Sequence, residues 1–267
     1  MTEEDVALFR RLVSTDLTGE QARALVAPDR IFPRQREVLA IHWHPEWIPL
    51  DLIARRLETV FPGRVEELII PTQHNQIITW GRYAGVEVDC YASGFKRNVQ
   101  LLLHFRADRL AGADTLKSMI EHTFKYRAGQ LFEFMDSILN PRLADRLEAA
   151  AAHTGAGEEV VAVTRFHVAR LARLLRNLES ELSSDMIKNK LVHEYLAAQR
   201  PHHPETVIRR ALHLVQAVKE IVKQNFPLDY FSWASEIIEE ARGLGGGVVI
   251  PHPEQFWPVL LADYDVD

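Results

Sequence analysis

Hydrophobic positions follow two different patterns along the chain. Near the start, short apolar runs are separated by turns, and one more such run comes late, which is typical of strands. Between them, apolar residues recur every three or four positions, as on one face of a helix. This order predicts an α/β fold with a large helical insertion. The predicted strands are Glu37–Trp43, Glu67–Thr72, Val86–Tyr91, Val99–Phe105 and Gly247–Pro251.

Helix-start signals mark the beginning of the chain. Thr2 is positioned to cap a first short helix, and Thr18 with Gln21 forms a capping box for a second. A further helix is predicted over Leu50–Val60, ended by the Phe-Pro-Gly that follows it. Residues 1–30 are therefore expected to form an N-terminal helical extension.

The segment 113–244 has the pattern of a helix almost throughout, interrupted by prolines and one Gly-Ala-Gly turn. We expect this segment to be a helical insertion, and residues 31–112 and 245–267 to form the α/β part. Its clearest apolar stripe, with the spacing of one helix face, is Val207, Ala211, Leu214, Val215, Val218, Ile221 and Val222.

The composition predicts a globular protein with a large hydrophobic core and gives no strong signal for binding nucleic acid or membranes. The 267 residues, 47% of them hydrophobic, are enough for a large core without disulfides. A net charge of -6 gives no basic excess, so there is no strong signal for nucleic-acid binding. The one cysteine, Cys90, excludes an intrachain disulfide and is expected to be buried. With no signal-peptide pattern and no apolar run near the ~20 residues that span a bilayer, we expect a cytoplasmic protein without membrane contact.

Histidines lie at the ends of three predicted strands. His42 and His44 alternate about Trp43, so the period of a strand directs both imidazoles to one side. His74 follows the second strand, and His252 follows the last. Two imidazoles on one face near a strand end can chelate a divalent metal. Because α/β folds build their sites at the carboxyl ends of strands, histidines at three such ends predict a functional site there. A purely structural His-x-His pair is the alternative.

Glu87 interrupts an apolar strand, between Val86 and Val88. A carboxylate in such a strand is unfavourable unless a metal or a partner compensates it. The alternative is that Val86 and Val88 form the buried face and Glu87 points to solvent.

These motifs resemble those of the PHP superfamily, named for polymerase and histidinol phosphatase. The chain has His-x-His after the first strand, Thr-Gln-His-Asn at 72–75, Gly-Val-Glu-Val at 85–88 and Gly-Gly-Val-Val-Ile-Pro-His-Pro at 246–253. Val163-Thr-Arg-Phe-His-Val-Ala169 is similar to a segment of the nucleotide-phosphatase and exoribonuclease-like branch. The resemblance implies a distorted, TIM-like (β/α) barrel, either complete or incomplete in this chain, with a large helical insertion. The activity it implies is phosphoester hydrolysis.

The resemblance also implies a site. His42, His44 and Glu87 would bind one metal, Glu87 would bridge to a second metal held by His252, and His74 would belong to a third. Glu87 and His252 are thereby the candidate catalytic residues. The implied cofactors are one or two divalent ions (Zn, Mn or Fe), with none as the alternative.

Arg165 and His167 are the candidate substrate-binding residues, because the resembling segment carries them and arginine suits a phosphate. An arginine at a helix start and a packed histidine is the equally weighted alternative.

The chain departs from the family pattern at several positions. Gln73 replaces a carboxylate, and Gln100 stands where a histidine is usual. His104, on the same strand face as Gln100, is the candidate substitute for that histidine. The family pattern also has an Asp about five residues after the second histidine of its first motif, and Glu46 is the candidate substitute for it. The closing Asp-x-His pair does not occur in the chain. An incomplete barrel would leave a strand edge unpaired, which predicts homodimerisation or an altered closure.

Three functions remain in competition. The first is a metal-dependent phosphoesterase acting on a small phosphate ester or nucleotide. The second is a degenerate, non-catalytic PHP-like binding protein, favoured by the missing ligands. The third is a metal-dependent hydrolase of a non-phosphate bond, since His-x-His strand ends also suit amidohydrolase barrels.

Overall fold

The computed structural model describes residues 2–14, 16–45, 48–92, 97–182, 188–225, 227–252 and 264–267. The chain divides into two compact units. The helical unit comprises residues 1–14 and 126–226, and the α/β unit comprises residues 15–125 and 227–267. The mixed α/β class predicted from the sequence is confirmed.

The α/β unit contains the strands, which form a parallel pair and a four-stranded antiparallel sheet. In the pair, β1 lies beside β2, and in the larger sheet the order is β3-β4-β5-β6. The described strands form these two sheets and no closed barrel. Their bounds are β1 Glu37–Ala40, β2 Glu66–Ile69, β3 Ile78–Trp80, β4 Tyr83–Ala92, β5 Arg97–Arg106 and β6 Gly247–Val249.

The helices of the chain follow their sequence signals closely. Thr2 and Thr18 each accept a hydrogen bond from the backbone of the third helical residue, which confirms both predicted caps. No described helix is both long and apolar enough to cross a membrane. The helices are α1 Glu3–Val13, α2 Gly19–Val26, α3 Leu50–Val60, α4 Asp114–Leu139, α5 Ala144–Thr154, α6 Glu158–Asn177, α7 Lys190–Ala197, α8 Glu205–Asn225 and α9 Ala234–Gly243.

Strand β4 organises the α/β unit because both of its edges are paired. One edge runs antiparallel to β5 along its whole length. The other edge is shared by three segments: β3, the chain around His74, and Trp233 at the start of α9. Backbone bonds fix the middle segment, since Asn75 donates to the Glu87 carbonyl (2.7 Å) and Glu87 donates to the Gln73 carbonyl (3.0 Å).

The two faces of β4 have different neighbours. Its even-numbered residues lie in a buried core with the odd-numbered residues of β5, with α9 and with the first turns of α4. Its odd-numbered residues therefore face the opposite side of the sheet. Cys90 belongs to the core face and is buried as expected, and burial raises the pKa of its thiol.

The last described residues pair with β6. Asp267 donates its backbone N–H to the Val248 carbonyl, and its carboxylate accepts the Val248 N–H, both at 2.8 Å. Arg242 of α9 binds the Asp267 carboxylate (3.0 Å) and the Asp265 carboxylate (3.2 Å). The guanidinium lowers the pKa of Asp267, against the opposing effect of burial.

The helical unit encloses its own core, built on α6, α7 and α8. The predicted stripe on α8 is confirmed: six of its residues are buried, and Ile221 packs partly buried against them. Three predicted strand ends were wrong. The first, second and last predicted strands end at Ala40, Ile69 and Val249, and not at Trp43, Thr72 and Pro251. The three-residue strand β3 was not predicted.

Candidate metal centre

His42 and His44 are directed by the buried residue between them. Beyond Ala40 the chain continues beside the segment that follows β2, with the Thr72 N–H donating to the Trp43 carbonyl (3.1 Å). Trp43 packs into a small core with Leu57 and Ile69. The imidazoles on either side of Trp43 lie outside this core, and both approach the Glu87 carboxylate.

Glu87 lies at the centre of β4 and is 1% exposed. The alternative that it points to solvent was wrong, because β4 is covered on both faces and not only on the Val86 and Val88 side. The glycine of the Gly-Val-Glu-Val motif has a packing reason. A Cβ on Gly85 would overlap the carbonyl oxygen of Pro71, so the glycine lets the chain after β2 cross closely over this face of the sheet.

His74 is placed by the residue that follows it. Asn75 has a left-handed φ of 51°, a conformation that asparagine tolerates better than most residues. Its side chain is held by Asp89: its Nδ2 donates to the carboxylate (2.8 Å), and its Oδ1 accepts the Asp89 backbone N–H (2.9 Å). Gln100 donates to the other carboxylate oxygen of Asp89 (3.4 Å).

Three imidazoles converge on one oxygen of Glu87. Its Oε2 lies 3.6 Å from His42 Nε2, 3.3 Å from His44 Nε2 and 3.2 Å from His74 Nδ1. Yet this buried oxygen has no hydrogen-bond partner among the described residues. A buried carboxylate oxygen is normally well satisfied, so the arrangement calls for a cation.

His252 joins the same cluster from the end of β6. Its ring centroid lies 5.0 Å from that of His42, and His44 stacks on His74 at 4.3 Å. His252 has a φ of 49°, which is uncommon for a residue with a side chain. Strained backbone of this kind concentrates at functional sites.

The donor set fits a divalent transition metal. The ligand atoms of His42, His44 and Glu87 lie within 4.8 Å of one another, and no other such group occurs among the described residues. Neutral imidazole nitrogens with one carboxylate oxygen suit Zn, Fe or Mn better than Mg or Ca, which prefer oxygen ligands.

The chain matches no family model, no curated protein and no solved structure. The PHP resemblance therefore rests on the order of the motifs alone. The site itself rests on the geometry given above.

Of the candidate substitute ligands, His104 contacts the backbone next to His42 and is not part of the group formed by the ligand atoms of His42, His44 and Glu87. Its Nε2 is 3.3 Å from the Ile41 carbonyl oxygen, and burial lowers its pKa. Gln100 binds Asp89, as described above. Glu46 lies outside the described residues.

The structure places Arg165 and His167 on α6 of the helical unit. Arg165 is exposed and donates to the Ile138 carbonyl (3.3 Å). His167 is buried, and its Nε2 lies 2.8 Å from His203 Nε2. Burial, together with the charges of His203 and Arg170, lowers its pKa to about 4. These contacts are those of a packed histidine and a surface arginine.

Sequence reasoning missed Asp89, which is buried two residues after Glu87. The signal was present, because a second acidic residue on the same face of an apolar strand has the same need for a partner. Through Asn75, Asp89 supports the backbone that carries His74.

Proposed function

We propose that the α/β unit binds a divalent transition metal and hydrolyses phosphate esters, with an incomplete PHP-like barrel as its scaffold. The observation that carries the proposal is the Glu87 Oε2 atom, which is buried, faces three imidazole nitrogens and has no hydrogen-bond partner in the described segments of the chain. Removing charge from water without compensation is strongly unfavourable, and a bound cation would supply that compensation.

The charge balance of the ligands favours an anionic substrate. Glu87 contributes one negative charge and neutral imidazoles contribute none, so the ligand set leaves part of a divalent ion's charge uncompensated. The ordered motifs resembling PHP proteins favour phosphate esters over other anions. A phosphate monoester or a nucleotide is therefore the proposed substrate.

The residues divide into binding and supporting roles. His42, His44 and Glu87 would hold the ion, with His74 and His252 beside them as further ligands. A bound ion would polarise the phosphoryl group and lower the pKa of an attacking water. Asp89 fixes Asn75 and so maintains the direction of His74.

Metal analysis is the first test. Protein purified without chelator should carry at least one transition metal per chain, and His42→Ala and Glu87→Gln should each remove most of it. His213→Ala is the matched control, because His213 is an exposed histidine of the helical unit. Less than one metal per chain, unchanged by His42→Ala, would refute the metal site.

Turnover is the second test, with Mn²⁺, Zn²⁺ or Fe²⁺ added to metal-free protein. We expect hydrolysis of a phosphate monoester or diester that Glu87→Gln abolishes. Carboxamide substrates in the same panel test for a hydrolase of non-phosphate bonds. Cleavage of the carboxamides without cleavage of the phosphate esters would support that function.

A non-catalytic metal-binding protein is the second candidate. It is favoured by Gln73, a buried amide at the position where the resembling motif has a carboxylate. Stoichiometric metal without turnover of any substrate would support this candidate over the phosphoesterase.

A further inference from the structure

An aromatic pair lies on the same face of the sheet as the candidate metal centre. Tyr91 follows Glu87 by four residues on β4, so both side chains project to one side. Trp233 is the bridge partner of Tyr91, just as His74 is the bridge partner of Glu87. Directly paired residues share a face, so the indole and the phenol both project toward the side that carries the histidines.

The geometry of the pair leaves ring surface accessible. The centroids of Tyr91 and Trp233 are 6.4 Å apart, with the ring planes at 86°. In an edge-to-face pair, each ring keeps a face that its partner does not cover. Trp233 is 48% exposed, which is a large exposure for an indole. The two rings form a corner that a third planar ring can enter.

The backbone under the indole is fixed. Tyr91 donates its N–H to the Ser232 carbonyl (2.9 Å), and Trp233 donates its own N–H to the Glu236 carboxylate (3.2 Å). The next residue, Ala234, is fully buried. An exposed aromatic ring on a rigid backbone loses little conformational entropy when a ligand stacks on it.

We propose that Tyr91 and Trp233 form a subsite for a planar ring, a nucleobase or an aryl group, carried by the phosphate ester. This inference rests on the proposed function for the position of the phosphate, and on the aromatic pair for the ring. Four residues of strand span about 13 Å, which is farther than a mononucleotide reaches from its phosphate to its base. The ring therefore belongs to a group on the far side of a linker, such as the second nucleoside of a dinucleotide whose terminal 5′-phosphate lies at the metal centre.

Trp80 provides a matched control. It is 37% exposed and pairs with Tyr83, which shares the face of Glu87. Between that pair and Glu87, however, the chain at Pro71 crosses the sheet over Gly85. Trp80 therefore lies on the far side of this crossing from Glu87, whereas the crossing does not lie between Glu87 and Tyr91.

Ring binding is tested first without any phosphate. Adenosine and 1-naphthol are titrated against metal-free protein and followed by ligand-observed NMR. We expect Trp233→Ala to weaken binding about 10- to 100-fold, the range of base–aromatic stacking. Trp80→Ala should leave it unchanged, and Trp233→Phe should restore most of it. Binding of adenosine alone identifies a nucleobase, and binding of 1-naphthol alone identifies an aryl group.

The second arm compares two phosphate monoesters, a 5′-phosphorylated adenylyl dinucleotide and its analogue lacking the base of the second nucleoside. Trp233→Ala should raise KM for loss of the terminal phosphate about 10- to 100-fold for the first and leave the second unchanged, with little effect on kcat. Equal losses on both substrates would mean a merely structural role and would overturn the subsite.

The two proposals fail separately. Ring binding that depends on Trp233 in a protein without turnover would retain the subsite and refute the phosphoesterase. Turnover with no ring binding, or with ring binding unaffected by Trp233→Ala, would refute the subsite alone.

Discussion

Each unit of the molecule buries a carboxylate among basic side chains, but the two carboxylates differ in their hydrogen bonds. In the helical unit, Asp5 accepts a hydrogen bond from the Thr2 N–H (2.7 Å) and pairs with Arg170. Burial alone would raise its pKa, but these bonds outweigh burial and lower it. In the α/β unit, Glu87 faces three imidazoles, and its Oε2 has no hydrogen-bond partner within the part of the chain that the structure describes.

The histidines show the same contrast. His167 and His203 of the helical unit bond directly to each other at 2.8 Å. His42, His44 and His74 point together at a carboxylate oxygen. Residue type and burial therefore do not distinguish a structural cluster from a candidate site. The carboxylate does: Asp5 accepts hydrogen bonds from Thr2 and Arg170, whereas Glu87 Oε2 has no hydrogen-bond partner among the described residues. A buried charge without a partner marks a place for a cation, whereas a neutral unpaired atom such as His167 Nδ1 does not.

Neutralising Glu87 should affect metal binding and neutralising Asp5 should affect stability. The loss of metal affinity is the largest effect that we expect. Glu87→Gln should weaken metal binding at least about 100-fold, because it removes the one charged ligand, while changing the stability of metal-free protein by less than about 1 kcal/mol. Asp5→Asn should leave metal affinity unchanged and lower the free energy of unfolding by about 2 kcal/mol. Calorimetric metal titration and urea denaturation measure the two quantities. Loss of metal affinity in Asp5→Asn would contradict the assignment of different roles to the two carboxylates.

His167 should make the stability of the protein depend on pH. A free imidazole takes up a proton near pH 6.5, whereas His167 does so only at about 4 in the folded protein. Between these values the unfolded chain binds more protons, so stability falls as the pH falls, by about 3 kcal/mol at most. His167→Gln should flatten this slope when urea midpoints are measured from pH 7 to 4. His213→Gln, at an exposed position, should keep the wild-type slope; an identical slope in both variants would show that His167 is not the group responsible.

Two glycine substitutions should change stability in opposite directions. Gly85→Ala places a methyl group against the Pro71 carbonyl and should lower the free energy of unfolding by about 1–3 kcal/mol, with weaker metal binding. Gly129→Ala, on α4 with open space around it, should raise stability by about 0.5–1 kcal/mol. Thermal melts compare the two, and a stable Gly85→Ala protein with normal metal affinity would contradict the close crossing of the chain.

The smallest effects are expected at the two helix caps. Thr2→Ala should lower stability by about 1 kcal/mol, because α1 buries Phe9 in the core of the helical unit. Thr18→Ala should lower it by about 0.5 kcal/mol or less, because α2 buries none of its residues and frays locally. Denaturation midpoints of the two variants measure these losses of stability. Equal losses in Thr2→Ala and Thr18→Ala would contradict the prediction.

Local signals in the sequence predicted the helices well. The boundaries of α3 and the caps of α1 and α2 depend on residues within one turn of the helix end, and such signals need no tertiary contact. Strand β3 escaped prediction because three residues carry too little periodicity, and its partner on β4 specifies it.

The candidate site was harder to read from the sequence. The positions of His42, His44, His74 and His252 were predicted from strand ends, and the structure brings them together. The direction of Glu87 was not readable, because the valines on either side of it look the same whether one or both faces of the strand are covered. Trp233 was missed because its pairing with Tyr91 connects distant parts of the sequence.

The three segments that share the second edge of β4 have a consequence for folding. Two of them, β3 and the chain at His74, are close to β4 in sequence and can pair with it early. Trp233, and His252 after it, arrive only when the whole helical unit has been synthesised. Closing so long a loop is entropically slow, so metal capture should be a late event that reports completion of folding.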